Sequence, residues 1–457
     1  MNQLSEYIGA KVEAQRAFFN SGATLPYEFR IAQLRKLRKA LDDWESPLCE
    51  ALHTDLHKSY PEAWLTEISI VRGEIDNHIR HLKKWMRTQR PTTPIKLFPS
   101  RSRVMVQPLG VALIIAPWNY PVQLLLNPLV GAISAGCTAV LKTSPAVPNV
   151  SQVLLRMIGN TFDPCYIEAF DGHRDINTAL LEQHFDLIFF TGSPSLGRTV
   201  MEAAARNLTP VVLELGGKSP CIVDKGADID VAAKRIAWGK TINAGQTCIA
   251  PDYVLIENSL KEQFVCAFAK AVEALHGKDA SKSEHYCRMV SDKAYDRVAE
   301  YLKDGKVLFG GHHDKATRYI EPTLLEVENP HSTVMQDEIF GPILPLLTFD
   351  KLADAEEFIR ERPRPLALYY FGHQREGKSL LRRTISGGAC INDTIMHIAN
   401  EHTPFGGVGN SGMGRYHGKD SFLAFSHIRT VLHTPRSIDM PLRYMPYKLF
   451  GLIKKIL

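Results

Sequence analysis

The chain has 457 residues, too many for one hydrophobic core, so two or three domains are expected. Its hydrophobic share of 45% and charged share of 23% are ordinary for a soluble globular protein. The net charge of +5, on 54 basic and 49 acidic residues, is spread too thinly to imply nucleic-acid binding.

Residues 1 to about 87 read as helices, with Ala32, Leu34, Leu37 and Leu41 near helical spacing. The proline-rich stretch Pro91 to Pro99 ends that region, and Arg101 to Gln107 reads as an extended, alternating segment. A strand-then-helix pattern follows. Val111 to Ala116 is a short apolar run of the kind found in strands buried on both faces, and Val122 to Ala135 is an apolar helix. Ala139–Leu141 is the next strand, with a helix from about Asn149 to Asn160. Leu187–Phe190 is another strand, followed by a helix from Ser195 to Ala205. This alternation predicts a doubly wound parallel sheet with its ligand site at the carboxyl ends of the strands.

Val211–Leu215 leads into a second α/β region, from about 216 to 398. It contains the helix Asp230 to Ile242, the strand Tyr253 to Glu257 and a helix near Leu260 to Leu275. His312 and His313 fall in a polar stretch that reads as a surface turn. Pro446 to Leu457 can form a short amphipathic helix, with Leu449, Leu452, Ile453 and Ile456 on one face and Lys448 and Lys455 toward the other. Contact with a membrane surface, or packing on the body or on a partner subunit, both remain open for it.

The eight cysteines form no C-x-x-C pair and no metal-like cluster, so free thiols in a reducing cytosol and no metal site are expected. The first residues lack the basic segment and apolar run of a secretory leader, and no segment reaches membrane-spanning length. A cytoplasmic location follows as the expectation.

Two motifs carry the chemistry. Cys248 closes Asn243-Ala-Gly-Gln-Thr-Cys248, and Glu214 lies in Leu213-Glu-Leu-Gly-Gly-Lys218. A thiol can attack an aldehyde carbonyl, and a carboxylate can activate water against the resulting thioester. Glycines beside each group are expected to let backbone approach a ligand closely. A thiol of pKa about 8.5 is only a few per cent ionised at neutral pH, so Glu214 or a nearby cofactor cation is expected to assist it. Asn119, in Pro117-Trp-Asn-Tyr-Pro121 after a buried strand, offers an amide suited to an oxyanion hole with the backbone N–H of Cys248. Thr191-Gly-Ser-Pro-Ser-Leu-Gly197 follows a strand and opens a helix, whose N-terminus suits a phosphate.

These motifs, with Ala51 to Lys58 before them and Pro404 to Arg415 after them, resemble the NAD(P)-dependent aldehyde dehydrogenase superfamily. The resemblance is strongest to its class 3, fatty-aldehyde-dehydrogenase-like branch. It implies an aldehyde dehydrogenase-like α/β fold with a Rossmann-type NAD(P)-binding domain over 1–215, of which 97–107 leaves as part of a β bridging arm. A catalytic α/β domain over 216–398 would follow, then a return to the cofactor domain and arm over 399–430, and a tail over 431–457. It also implies oxidation of medium- or long-chain or aromatic aldehydes to carboxylates through a cysteine thiohemiacetal and thioester. Cys248, Glu214 and Asn119 would be catalytic. Lys142, Gly192, Ser193, Gly197, Trp118, Glu338 and Phe340 would bind NAD or NADP, with Glu338 holding the nicotinamide ribose. Pro145 stands where the family pattern Lys-Pro-Ser-Glu has its glutamate, which removes the carboxylate that would repel a 2′-phosphate. Segments near the substrate tunnel, Cys390 to His397 and Pro404-Phe405, are apolar rather than basic. A homodimer is implied, with Arg101 to Gln107 pairing with a returning strand, while peripheral membrane contact through the tail stays an alternative drawn from its own apolar and basic pattern. The rival classes are a catalytically silent binding or structural protein on the same fold and a phosphorylating or CoA-acylating relative. Retention of Cys248, Glu214, Asn119, Glu338 and Lys142 disfavours the first, and the presence of Glu214 disfavours the second.

Overall fold

The computed structural model describes residues 3–447 together with Phe450, Gly451 and Lys454. The residues on which the expected tail helix rests (Leu449, Leu452, Ile453, Ile456, Lys448 and Lys455) lie outside the described residues.

The apolar spacing of the first 85 residues folds into helices Gln3–Asn20, Tyr27–Asp43, Glu45–Leu56, Tyr60–Ala63 and Ser69–Trp85, with a π-helical turn, Trp64–Ile68, between the last two. Helix Tyr27–Asp43 buries Ile31, Leu34, Leu37 and Leu41. Ala32 is exposed, because Ile31 takes the inward position that spacing assigned to it.

The first sheet runs, in spatial order, Gly412–Met413, Val211–Leu215, Leu187–Gly192, Val111–Ile115, Thr138–Lys142, Ile167–Phe170. Its pairings are parallel except at Gly412–Met413. Strand Val111–Ile115 is buried at every position, since helices cover both faces. Ala112 and Ile114 join the core beneath helix Gln123–Ala135, while Val111, Leu113 and Ile115 meet Ile8, Val12, Val200 and Ala204 on the other side. From Val111–Ile115 the chain winds outward one way through Thr138–Lys142. It then returns to wind the other way through Leu187–Gly192. The carboxyl ends of Val111–Ile115 and Leu187–Gly192 therefore flank the switch point where doubly wound sheets open a crevice. Strand Ile167–Phe170 and helix Arg174–Leu181 extend this pattern beyond the elements read from sequence.

The second sheet is ordered Gly388–Ile391, Ala367–Phe371, Pro220–Val223, Tyr253–Glu257, Ile343–Phe349, Thr323–Glu326, Lys306–Phe309, and only the last pairing is antiparallel. Four residues separate the end of Val211–Leu215 in the first sheet from Pro220, so carboxyl ends of the first sheet face amino ends of the second. The cleft lies between those two rims.

Arg101–Pro108 leaves the body and pairs antiparallel with Ser426–His433, from Arg101↔His433 to Pro108↔Ser426. Met105, Ile428 and Leu432 are exposed on this ribbon. His313 is exposed but opens a two-residue hairpin with Tyr319–Ile320 rather than a plain turn. All eight cysteines are free thiols in this structure. Among the described residues, no helix is long and apolar enough to cross a membrane.

Candidate active site

A cavity of about 1180 Å³ fills the cleft, lined from the first sheet by Trp118, Asn119, Gly192, Ser193 and Glu214 and from the second by Cys248, Glu338 and Phe340. Each of these is a residue the sequence singled out. Lys142 and Gly197 do not line it.

Asn119 follows strand Val111–Ile115 and is buried. Its amide Nδ2 donates to the Gln246 carbonyl at 3.1 Å, so the side chain is aimed at the turn that carries Cys248. That turn is made by three successive left-handed residues, Asn243 (φ 50°), Ala244 (φ 51°) and Gly245 (φ 73°). A Cβ on Gly245 would lie 2.3 Å from the Gly341 carbonyl oxygen. The glycine is therefore required by the protein's own backbone crossing there. Gly216 tells the same story: its Cβ would lie 1.9 Å from Glu338 Oε2.

Glu214 sits one residue from the end of strand Val211–Leu215, and neither carboxyl oxygen has a hydrogen-bond partner. Burial alone drives its pKa well above the usual carboxylate range. Burial also pushes the Cys248 thiol far up, and Glu338 and Glu214 push it further in the same direction. As a charge, Glu214 works against the thiolate, because an anion disfavours a second anion beside it.

Glu338 hangs on a loop fastened from two sides. Lys218 pairs with Asp252 and donates to the Val334 and Asp337 carbonyls at 2.8 and 2.9 Å. Asp252 accepts the Ile339 N–H at 3.0 Å, and Arg297 donates to the Ile339 carbonyl at 2.8 Å. Burial, with Asp252 adding to it, lifts the Glu338 pKa to about 8. Beside it, the Lys240 ammonium is buried without a partner and is pushed down to about 8 by desolvation. Across the cleft, Trp118 and Phe340 meet edge to face with ring centroids 5.3 Å apart.

The aldehyde dehydrogenase family model matches residues 3–431. The chain belongs to the aldehyde dehydrogenase family. It is 46% identical over 444 residues to 4,4′-diaponeurosporen-aldehyde dehydrogenase of Staphylococcus aureus, covering 96% of this chain and 97% of that one. It is 43% identical over 453 residues to the dimeric NADP-preferring aldehyde dehydrogenase of Canis lupus familiaris, covering 98% of both. The solved substrate-bound state of Staphylococcus aureus AldH superposes with a TM-score of 0.96 at 45% identity, over 98% of this chain and 99% of that one. The chain is an enzyme, and the reaction its cleft serves is the oxidation of aldehydes.

Enzymes of this family use NAD or NADP, and the aldehyde dehydrogenase cleft has groups that fit a dinucleotide. Glu338 Oε1 is a buried acceptor with no protein partner, as a ribose hydroxyl requires. Ser193 caps helix Pro194–Ala205, its Oγ accepting the Leu196 N–H at 3.4 Å, and that N-terminus opens on the cavity. The two glycines of this motif serve packing. Gly192 is still in its strand, close to the Phe190 ring, and Gly197 lets the helix approach Leu215. Lys142 ends strand Thr138–Lys142, buried and pushed down to about 8 by desolvation against the opposing pull of Asp171. Lys218 and Asp252 were not singled out from sequence, although both lie within four residues of a motif residue, Glu214 or Cys248. Only their long-range pairing identifies them.

Proposed function

We propose that this aldehyde dehydrogenase oxidises apolar aldehydes, medium- to long-chain or aromatic, to carboxylates through a thiohemiacetal and then a thioester on Cys248. The observation that carries this reading is the convergence of a thiol, a partnerless carboxyl and a fixed amide (Cys248, Glu214 and Asn119) on one cavity. Cys248 Sγ forms a bond to the aldehyde carbon as its proton passes to water in the cavity. The Asn119 amide and the Cys248 backbone N–H hold the oxygen on which charge develops. The dinucleotide, when bound, supplies the acceptor for the two electrons that turn the thiohemiacetal into a thioester. Glu338 would hold its ribose, Ser193 and the helix behind it a phosphate, and Trp118 and Phe340 its apolar faces. Glu214 then takes a proton from water, whose oxygen bonds to the thioester carbon, and the carbon–sulfur bond breaks to release the carboxylate.

The substrate class rests on the apolar character of the segments Cys390 to His397 and Pro404-Phe405, whose rings pack against one another. His397 stacks on Phe405 at 5.9 Å, and Phe405 meets the buried Tyr416 edge to face at 5.9 Å. A panel of short, long-chain, aromatic and carboxylated aldehydes with NAD or NADP, followed by absorbance of the reduced cofactor with and without CoA or phosphate, tests the reading. Turnover confined to carboxylated semialdehydes, or strictly dependent on CoA or phosphate, would overturn it.

Pro145 is exposed at the turn after Lys142, and it fills the space a Cβ on Gly172 would take. With no carboxylate there to repel a 2′-phosphate, NADP is reduced at an appreciable rate beside NAD, and Pro145→Glu shifts preference toward NAD. Initial rates at saturating aldehyde check this, and an absence of measurable NADP reduction by the unsubstituted enzyme would contradict it.

The ribbon of Arg101–Pro108 and Ser426–His433 is bridged on one edge by Gln89 at Val104, and among the described residues its Ser426–His433 edge has no further strand partner. Exposed edges of that kind favour pairing between subunits. We infer a homodimer, so light scattering at micromolar concentration gives twice the chain mass of 51.2 kDa. A monomeric or tetrameric mass would refute the inference.

A further inference from the structure

The nucleophile turn and the Asn119 turn are tied from beneath by charges on the N-terminal helical region. After helix Tyr60–Ala63 the backbone widens into the π-helical turn Trp64–Ile68, a local geometry often found near functional sites. Within it Leu65 is exposed, whereas the Glu67 carboxylate is fully buried. Glu67 Oε2 accepts the N–H groups of Val122 and Gln123 at 2.9 and 3.0 Å, at the start of helix Gln123–Ala135. Its other oxygen accepts from Lys58 Nζ at 2.7 Å, and Lys58 is also fully buried. Lys58 Nζ donates onward to the Asn119 carbonyl at 2.9 Å and lies 4.0 Å from the centre of the Tyr120 ring.

The same Asn119 carbonyl accepts from Asn243 Nδ2 at 3.0 Å, and Tyr120 OH meets Thr247 Oγ1 at 2.6 Å. Glu62, on the preceding helix, accepts the Asn243 N–H at 2.9 Å. The residue beside the nucleophile and the residue beside the amide donor are thus anchored to one pair of turns from residues 58–67. Burying two full charges is a weak source of stability, since an apolar pair of similar volume often does as well. What an apolar pair cannot supply is directed hydrogen bonds to a particular carbonyl and two particular N–H groups.

We propose that Lys58 and Glu67 are positioning residues that set Asn119 against the Cys248 turn. The proposal rests on the reading of Asn119 as the oxyanion donor. Neither residue touches the reacting atoms, so their effect belongs to the chemical step and not to dinucleotide binding.

The test is the charge-balanced variant Lys58→Met/Glu67→Leu in the full-length enzyme, compared with Asn119→Ala and with the triple variant. The pair variant is expected to unfold near the temperature of the unsubstituted enzyme. Its kcat falls roughly 10–100-fold, as for a donor displaced by a fraction of an ångström to an ångström. Dinucleotide affinity and the rate of Cys248 alkylation by iodoacetamide stay unchanged. In the Asn119→Ala background, removing the pair adds little further loss, because the pair acts through a group already gone. Glu67→Gln, which keeps an acceptor for the two N–H groups but weakens the tie to Lys58, gives a smaller kcat-only loss and serves where the double variant does not fold. Undiminished kcat in the folded pair variant, or an additive loss in the triple variant, would overturn the positioning role alone. Undiminished kcat in Asn119→Ala would overturn the oxyanion reading and this proposal with it.

Discussion

Replacing Cys248 by Ala abolishes aldehyde oxidation, lowering kcat by on the order of 10⁴-fold or more, the scale seen when a covalent nucleophile is removed. In the proposed mechanism the thiol carries the covalent bond, and Glu214 and Asn119 act on atoms already attached to it. Dinucleotide affinity, measured by calorimetric titration, stays within a few-fold. The residues proposed to hold the cofactor, Glu338 and Ser193 among them, sit on other segments, and their backbone anchors run through Asp252, Arg297 and the helix cap. Steady-state kinetics of the purified variant checks the first statement. More than a trace of turnover would move the chemistry to another residue.

Glu214→Gln has the second largest effect, and it falls on a different step. Gln keeps the shape of the side chain but cannot take a proton from water, so hydrolysis slows by about 10²–10⁴-fold, the usual worth of a general base. Hydride-equivalent transfer survives, so a stopped-flow trace shows a burst of reduced cofactor near one equivalent per active site, followed by a slow phase. Burial raises the Glu214 pKa, so the base form is lost as pH falls through that raised value and gained as pH rises. The hydrolytic step of the unsubstituted enzyme therefore accelerates as pH rises through that raised pKa, and this dependence disappears in the Gln variant. Turnover of Glu214→Gln at the unsubstituted rate would remove the base from the mechanism.

Much of this architecture was legible because it is written in short range. The continuous apolar runs at Val111 to Ala116 and Leu187–Phe190 have one physical solution, a strand covered on both faces, and both are such strands. The order of those strands with their helices fixed the side of the sheet on which the cleft opens, and Trp118, Asn119 and Ser193 lie there. Ile167–Phe170 was missed because Ile-Glu-Ala-Phe is too short and mixed to declare a period, and its place is set by pairing with Thr138–Lys142. The internal role of the glycines was hidden for a related reason. Gly245 and Gly216 are indispensable, but the atoms that exclude a side chain belong to Gly341 and Glu338, more than ninety positions away along the chain.

Charges resisted sequence reading most of all. Lys58 closes a motif that helped to carry the resemblance, yet its meaning depends on Glu67 and the Asn119 carbonyl. Asp252 follows Cys248 closely, yet it acts on the Glu338 loop. Lys218 and Lys240 look like surface lysines by composition and are nevertheless largely or wholly buried. Buried charges are tolerated only where partners converge, and convergence is a property of the fold.

The central claim, that the substrate passes through a thioester on Cys248 which Glu214 hydrolyses, is tested most directly by trapping that thioester. Glu214→Gln is mixed with a long-chain aldehyde and dinucleotide, quenched in acid within the burst phase and digested for mass spectrometry. The account predicts a stoichiometric gain of one acyl group on the peptide carrying Cys248, with the carbonyl at the carboxylate oxidation level and no gain in Cys248→Ala. An unmodified Cys248 peptide after a full burst of reduced cofactor, or an acyl group on any other residue, would contradict it.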